Sequence, residues 1–448
     1  MKKIINNLLA ISVFVVASQL PMPAHAADLD GDGVEDIQDA FPDDASRQYL
    51  PIAEAIAKLE DQNLQACITD QHGFRETAGE VFDVECRHQN VGTLRGIEHF
   101  SELERLWLDD SNLTDIAPVA NLVDLREFDI SWGETGVTDI SPLSGLTKLE
   151  WLNIEGQPVS DFSPLTSLMQ INYLQIGHSR LSDLSQLGDK PSLTYLQIND
   201  SLVREIADLT FAPKLETLYA WNLQLKALPS LEGLSGLRNL YLDNNQLTQI
   251  ELPPKADFDH LRLRHNRDLI QITGLDAVVR IGHFDLYDTG LTDLNDIPEN
   301  LNVDHLGVGG PQLRDIQQLS ALSSLNSLGV HWAPLLADFS VIADIDSLRN
   351  LEFRGLEQLA DLNFLQSQDR LGYFYLGESR NIGDFSGLAY LLDASHISLN
   401  NLGDLDLGPL ADLDNLTQLE LRGNNLADIS DLELLRYLEY LSMEFTGW

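Results

Sequence analysis

Positive charge is scarce in this chain. Its 448 residues include 28 Lys and Arg against 70 Asp and Glu, for a formal net charge of −42. So acidic a surface repels phosphate backbones and anionic headgroups, which argues against nucleic acid and acidic membranes as partners. Cysteine is scarcer: only Cys67 and Cys86 occur, so no thiol is left for nucleophilic chemistry once they pair. Beyond the N-terminus no apolar run approaches the roughly 18 residues of a spanning helix. HExxH, GxSxG, GxGxxG and Walker-type loops are missing as well, and the carboxylates are scattered rather than paired about a cleft. These absences point to a binding protein and not to an enzyme, with no catalytic residue to nominate.

The N-terminus departs from the rest. Residues 1–26 combine two lysines, an apolar stretch from Leu8 to Ala17 and an Ala24-His25-Ala26 ending. This is the composition of a secretory signal peptide. It places the mature chain outside the cytoplasm: secreted, at the cell surface or in the periplasm, with no membrane span after cleavage. In an oxidising compartment Cys67 and Cys86 are expected to form a disulfide.

Residues 27–49 form an acidic loop and linker. In DLDGDGVEDIQDAFPDD (28–44), Asp28, Asp30, Asp32, Asp36 and Asp39 fall at loop positions 1, 3, 5, 9 and 12, and the Val34 carbonyl falls at position 7. Gly33 supplies the sharp turn between them. Hard oxygen ligands in that order suit one Ca²⁺. The run resembles thrombospondin type 3 repeats and EF-hand-like calcium loops. A single copy with Asp at position 12 implies a weak site, and a plain solvated acidic linker is the alternative.

Self-similarity dominates the remainder of the chain. LERLWLDDSNLTDIAPVANL (103–122), LEWLNIEGQPVSDFSPLTSL (149–168) and LTQLELRGNNLADISDLELL (416–435) share apolar positions 1, 4, 6, 11, 14, 17 and 20. Position 1 recurs from Val81 to Leu438 at spacings of 21 to 24 residues. Positions 4 and 6 alternate as a short strand does, so neighbours of opposite parity face the other way. One such unit cannot bury its apolar face alone, whereas stacked units share a continuous core. Residues 81–448 are therefore read as one solenoid, and residues 50–80 as its N-terminal helical cap.

The pattern resembles leucine-rich repeats, in particular the 22-residue repeats of internalin-like bacterial proteins; VTDISPLSGLTKLEWLNI (137–154) follows theirs nearly letter for letter. The resemblance implies an α/β-type arc of about 16 repeats with a parallel sheet on the concave face and 3-10 or irregular turns outside. It also implies recognition of a partner. The family's turn-forming Asn at position 9 survives at Asn245, Asn266 and Asn424, while Pro311, Ala333 and Leu356 stand in later repeats. The middle-to-late repeats are accordingly expected to be less regular.

Positions 2, 3, 5, 7 and 8 border the concave face. They hold five of the six tryptophans, eight of the eleven tyrosines and eight of the eleven histidines. Large aromatic side chains supply contact area at low entropic cost. The candidate ligand-binding set is Tyr219, Trp221, Tyr241, His260, Arg262, Arg264 and His283, together with Trp107, Trp132 and Trp151. The basic stretch HLRLRHNRD (260–268) makes a cationic-aromatic patch there, unless its arginines only pair with Asp243, Asp259 and Asp285. The expected partner of a monomeric chain is a protein, in adhesion or a cell-surface interaction. The alternative is a glycan stacked on ring faces.

Overall fold

A computed structural model describes residues 49–133, 136–426 and 429–444. The signal peptide, the calcium-loop residues Asp28 to Asp39, and Phe445 and Trp448, expected to close the last turn, lie outside the described residues.

Seventeen parallel strands follow one another in chain order, each paired with the next, from Asp83–Glu85 to Tyr440–Ser442. The expected arc with an inner parallel sheet is present. Register explains the core. Leu106, Phe128, Leu152, Leu174 and Leu196 pair in one row, and all are fully buried. Their flanking residues on each strand turn to the concave side, as strand alternation requires.

The convex side is a stack of 3-10 turns such as Ala117–Asn121, Ser141–Gly145 and Ser163–Ser167, each with proline in its first two positions. An Asp at the start of many of these turns caps it: Asp139 Oδ1 accepts from Ser141 N at 2.8 Å and Asp161 Oδ1 from Ser163 N at 3.0 Å, and Asp183 and Asp208 act alike. Much of the acidity is thus built into the repeat itself. These hydrogen bonds hold Asp139, Asp161, Asp183, Asp208, Asp338 and Asp384 below the usual carboxylate range. A carboxylate depressed in the folded state contributes stability above its unfolded value, near ~3.9, that is lost as pH falls through the folded one. The melting temperature should therefore drop steeply below about pH 4; Asp→Asn at several caps should flatten that limb in a calorimetric pH series.

Strand length varies along the array, but not with the residue at position 9. Asn245 works as anticipated: its Oδ1 accepts from Leu223 N and Leu225 N, and its Nδ2 donates to Ala220 O. Asn266 follows a strand of six residues, Asp257–Arg262, whereas Ser111 follows one of three, Arg105–Trp107. Strands lengthen in the middle-to-late repeats, to Val303–Gly309, Ser327–His331 and Asn350–Arg354, against three residues in early repeats such as that of Ser111, which lacks Asn as well.

Two helices, α1 (Ile52–Lys58) and α2 (Gln62–His72), cover the first repeat. Ile52, Ala55, Leu64 and Ile68 continue the core beneath them. Asp61 caps α2 by accepting from Asn63 N and Leu64 N, and it also accepts from Gly92 N, which ties the cap to the array. Cys67 of α2 is bonded to Cys86, with Cα atoms 5.9 Å apart. By the chain-entropy model such a loop is worth about 3 kcal/mol. Cys67→Ser plus Cys86→Ser should lower stability by about that amount in denaturant titration, with the loss confined to the N-terminal cap.

Candidate functional site

Parallel register places equivalent residues of successive repeats about 4.8 Å apart, close to ring-stacking distance. The concave face uses this to build one ladder of rings. Trp107 meets Trp151 at 6.0 Å between centroids, Trp151 stacks on Tyr173 at 5.2 Å, and Tyr173 on Tyr195 at 4.1 Å. The ladder then changes column. Tyr195 reaches Tyr219 at 5.3 Å, and Tyr219 lies against Tyr241 at 4.2 Å with 4° between planes and against the edge of Trp221. It returns to the first column through His260, His283 and His305, the last pair at 4.2 Å and 1°. Burial, and then the neighbouring imidazole, lower the pKa of His283 and His305, so the stack favours neutral rings.

Eight of the ten nominated residues join or flank this ladder, seven through ring contacts and Arg262 through a cation–π contact over Tyr241 at 5.4 Å. Arg264 lies one ring further on, over Tyr287 at 5.3 Å. Trp132 stands apart. Its backbone is left-handed, with φ 61°, and the ring is 47% exposed at the rim of the sheet. Trp332, also at position 8, repeats this with φ 52° and 55% exposure. That position is left-handed along the array, at His88, Asp110, His178, Asp200, Asn222, Asn244, His265 and Asp288 among others, because the chain leaves the sheet there. Position 8 is therefore a rim column and not part of the concave floor.

The arginines are not free. Arg262 pairs with Asp243 at 2.9 Å and Arg264 with Asp285, so they neutralise their own neighbours before any anionic partner. Burial pushes the Asp243 carboxyl up, and the two arginines oppose that shift. Arg262→Ala would leave a carboxylate that is only 8% exposed without its cation, so it should cost roughly 1–3 kcal/mol in a thermal melt. Removing such a side chain therefore carries a structural cost even though it lies outside the apolar core.

Sequence reasoning passed over Tyr173, Tyr195 and His305 as candidates, although they carry the ladder across its gaps; reading columns across repeats instead of counting residue types would have found them. Beyond His305 the face hollows out. Gly307 and Gly329 leave a depression of about 180 Å³, across which the Tyr287 ring lies to stack on His331 at 4.2 Å. A Cβ at Gly329 would stand 1.9 Å from the Tyr287 hydroxyl, so only glycine admits the ring.

Residues 213–254 match the leucine-rich-repeat family in two copies. Leucine-rich repeat-containing protein 56 of Mus musculus is 28% identical over 115 residues, which is 24% of this chain and 20% of that protein. The match thus spans only about a fifth of the curated relative's length. Among solved structures, the leucine-rich-repeat ectodomain of a membrane receptor kinase from Arabidopsis thaliana, in complex with Casparian strip integrity factor 2, has a TM-score of 0.58. Identity is 17%, over 88% of this chain and 56% of that one. An internalin from Listeria monocytogenes aligns over 89% of this chain and 99% of its own at 23% identity, with a TM-score of 0.45. The fold is the leucine-rich-repeat solenoid. No helix among the described residues is long and apolar enough to cross a membrane.

Proposed function

We propose that this chain recognises a partner protein through the aromatic ladder of its concave face, outside the cytoplasm, in an adhesive or cell-surface role. The observation that carries this reading is the continuous stack from Trp107 to His305. Rings locked against one another on a rigid sheet are preorganised, so binding costs little side-chain entropy.

The stacking also weighs against a glycan on the ladder. A sugar stacks on an open ring face, but the faces of Tyr173, Tyr195, Tyr219 and Tyr241 are largely occupied by their neighbours. What they present outward is ring edges and hydroxyls, which suits a protein surface with its own apolar and hydrogen-bonding groups. Open indole surface occurs at the rim, at Trp132 and Trp332, and a glycan reading would belong there.

The test compares the wild-type chain with Tyr219→Ala plus Tyr241→Ala. Both are probed by cross-linking capture from cell-surface protein fractions and on a glycan array. A protein retained by the wild type and lost with the ladder variant supports the proposal. Glycan binding that survives the ladder variant and is lost with Trp132→Ala plus Trp332→Ala overturns it.

A further inference from the structure

We propose that three stacked histidines, His260, His283 and His305, form an acid release in the recognition face. As the pH falls below neutrality they take up protons, the rings part, and the ladder's hold on its partner weakens. This rests on the protein-recognition reading and specifies how that site is regulated.

The imidazoles stand at one position of three consecutive strands, with centroids 4.6 Å and then 4.2 Å apart and planes within 16°. His260 faces the Tyr241 ring at 5.9 Å, so the column continues the tyrosine ladder directly. Ring faces cover one another while edges meet solvent, His283 being exposed and the outer two half-buried. A proton can therefore enter without unfolding. A second proton on an adjacent ring would place two unit charges about 4 Å apart, where their repulsion exceeds thermal energy even in bulk water.

Other histidines of the array have a counter-charge. His178 lies 3.3 Å from Asp200, His265 2.9 Å from Asp288 and His331 3.1 Å from Glu352. Among the described residues, none of the three column histidines forms an ion pair. The carboxylates around them are already taken. Arg280 holds Asp304 at 2.7 Å and reaches Asp259 at 3.5 Å and Asp257 at 3.7 Å, and Arg238 also reaches Asp257. On the other flank Arg264 pairs with Asp285, and Arg262 is held by Asp243. The strand before the column adds Asn239 and Tyr241, and the strand after it adds Ser327. Burial pushes the Tyr241 hydroxyl up to about 12, so it stays neutral.

Burial, and then the neighbouring ring, hold His283 and His305 below the ordinary imidazole range, and Asp285 and Asp304 oppose the shift without reversing it. A histidine depressed in the stack binds its proton more readily once the rings part. The stack is therefore favoured above about pH 6.5 and penalised as the pH falls below it. The carboxylate caps of the convex side act in a separate window, below about pH 4. A parted column withdraws the ring that backs Tyr241 and brings positive charge to a neutral aromatic face.

The test has one arm without a partner and one with it. Histidine labelled with carbon-13 at Cε1 is followed by NMR from about pH 8 to about pH 5. The column histidines are expected to titrate in steps that depend on one another, with the Tyr241 ring shifting alongside. His283→Gln removes the middle ring, and the midpoint of His305 should then move upward. In the second arm, capture from cell-surface protein fractions is compared at about pH 7.5 and about pH 5.5. The wild type should hold its partner about tenfold more weakly at the lower pH, the linkage effect of one proton displaced by one unit. His260→Phe plus His283→Phe plus His305→Phe keeps three rings and removes their protons, so its capture should change by less than about twofold. His88→Asn plus His265→Asn at the rim, where Asn suits the left-handed backbone, should keep the wild-type pH response.

An unchanged pH response in the phenylalanine variant, or its loss in the rim variant, would overturn the proposal. So would a His305 midpoint that ignores the His283 ring. If the phenylalanine variant melts early, His283→Gln replaces it in the capture arm and must blunt the response. Coupled titration beside ladder-dependent capture that ignores pH would sink the acid release alone. If capture ignores the ladder, the broader reading falls and the acid release with it.

Discussion

Leu261→Ala should lower stability by about 2–5 kcal/mol, the range for removing a fully buried leucine. Leu261 has 0% exposure and sits in the strand Asp257–Arg262, paired to Leu240 on one side and Phe284 on the other. The expected signature is more specific than a loss of midpoint. Each repeat of a solenoid contacts chiefly its neighbours, so a weak turn in the middle uncouples the two halves. Urea unfolding monitored by tryptophan fluorescence should therefore split into two phases. Trp107, Trp132, Trp151 and Trp221 report the N-terminal half and Trp332 the other. A single transition of unchanged midpoint would mean that the core at this repeat is not what holds the array together.

Tyr219→Ala plus Tyr241→Ala should weaken the captured partner by about 2–4 kcal/mol, that is roughly 30-fold to 1,000-fold in Kd. These two rings are the most nearly parallel tyrosine pair, 4.2 Å apart, where the ladder changes column. They also touch Tyr195, Trp221, His260 and Arg262. Their removal opens the stack at its centre, while the buried Leu218 and Leu240 between them keep the sheet intact. The melting temperature should move far less than in Leu261→Ala. Because the two residues share contacts, the single variants should not sum to the double. Surface plasmon resonance on the three variants measures both quantities.

By itself the sequence determined the architecture. The repeat of apolar positions fixed which side chains form the core, and Leu106, Leu152 and Leu261 are buried as their positions require. The Cys67–Cys86 bond and the helical cap were legible for other reasons: an exported chain with two cysteines has one possible pairing, and the first turn of a solenoid needs a cover. Tertiary structure decided the face. Whether Tyr195 meets Tyr219 across a change of column, or Arg262 reaches Asp243 before any ligand does, depends on inter-strand register and rotamers. Those are choices between repeats, and a pattern defined within one repeat does not encode them.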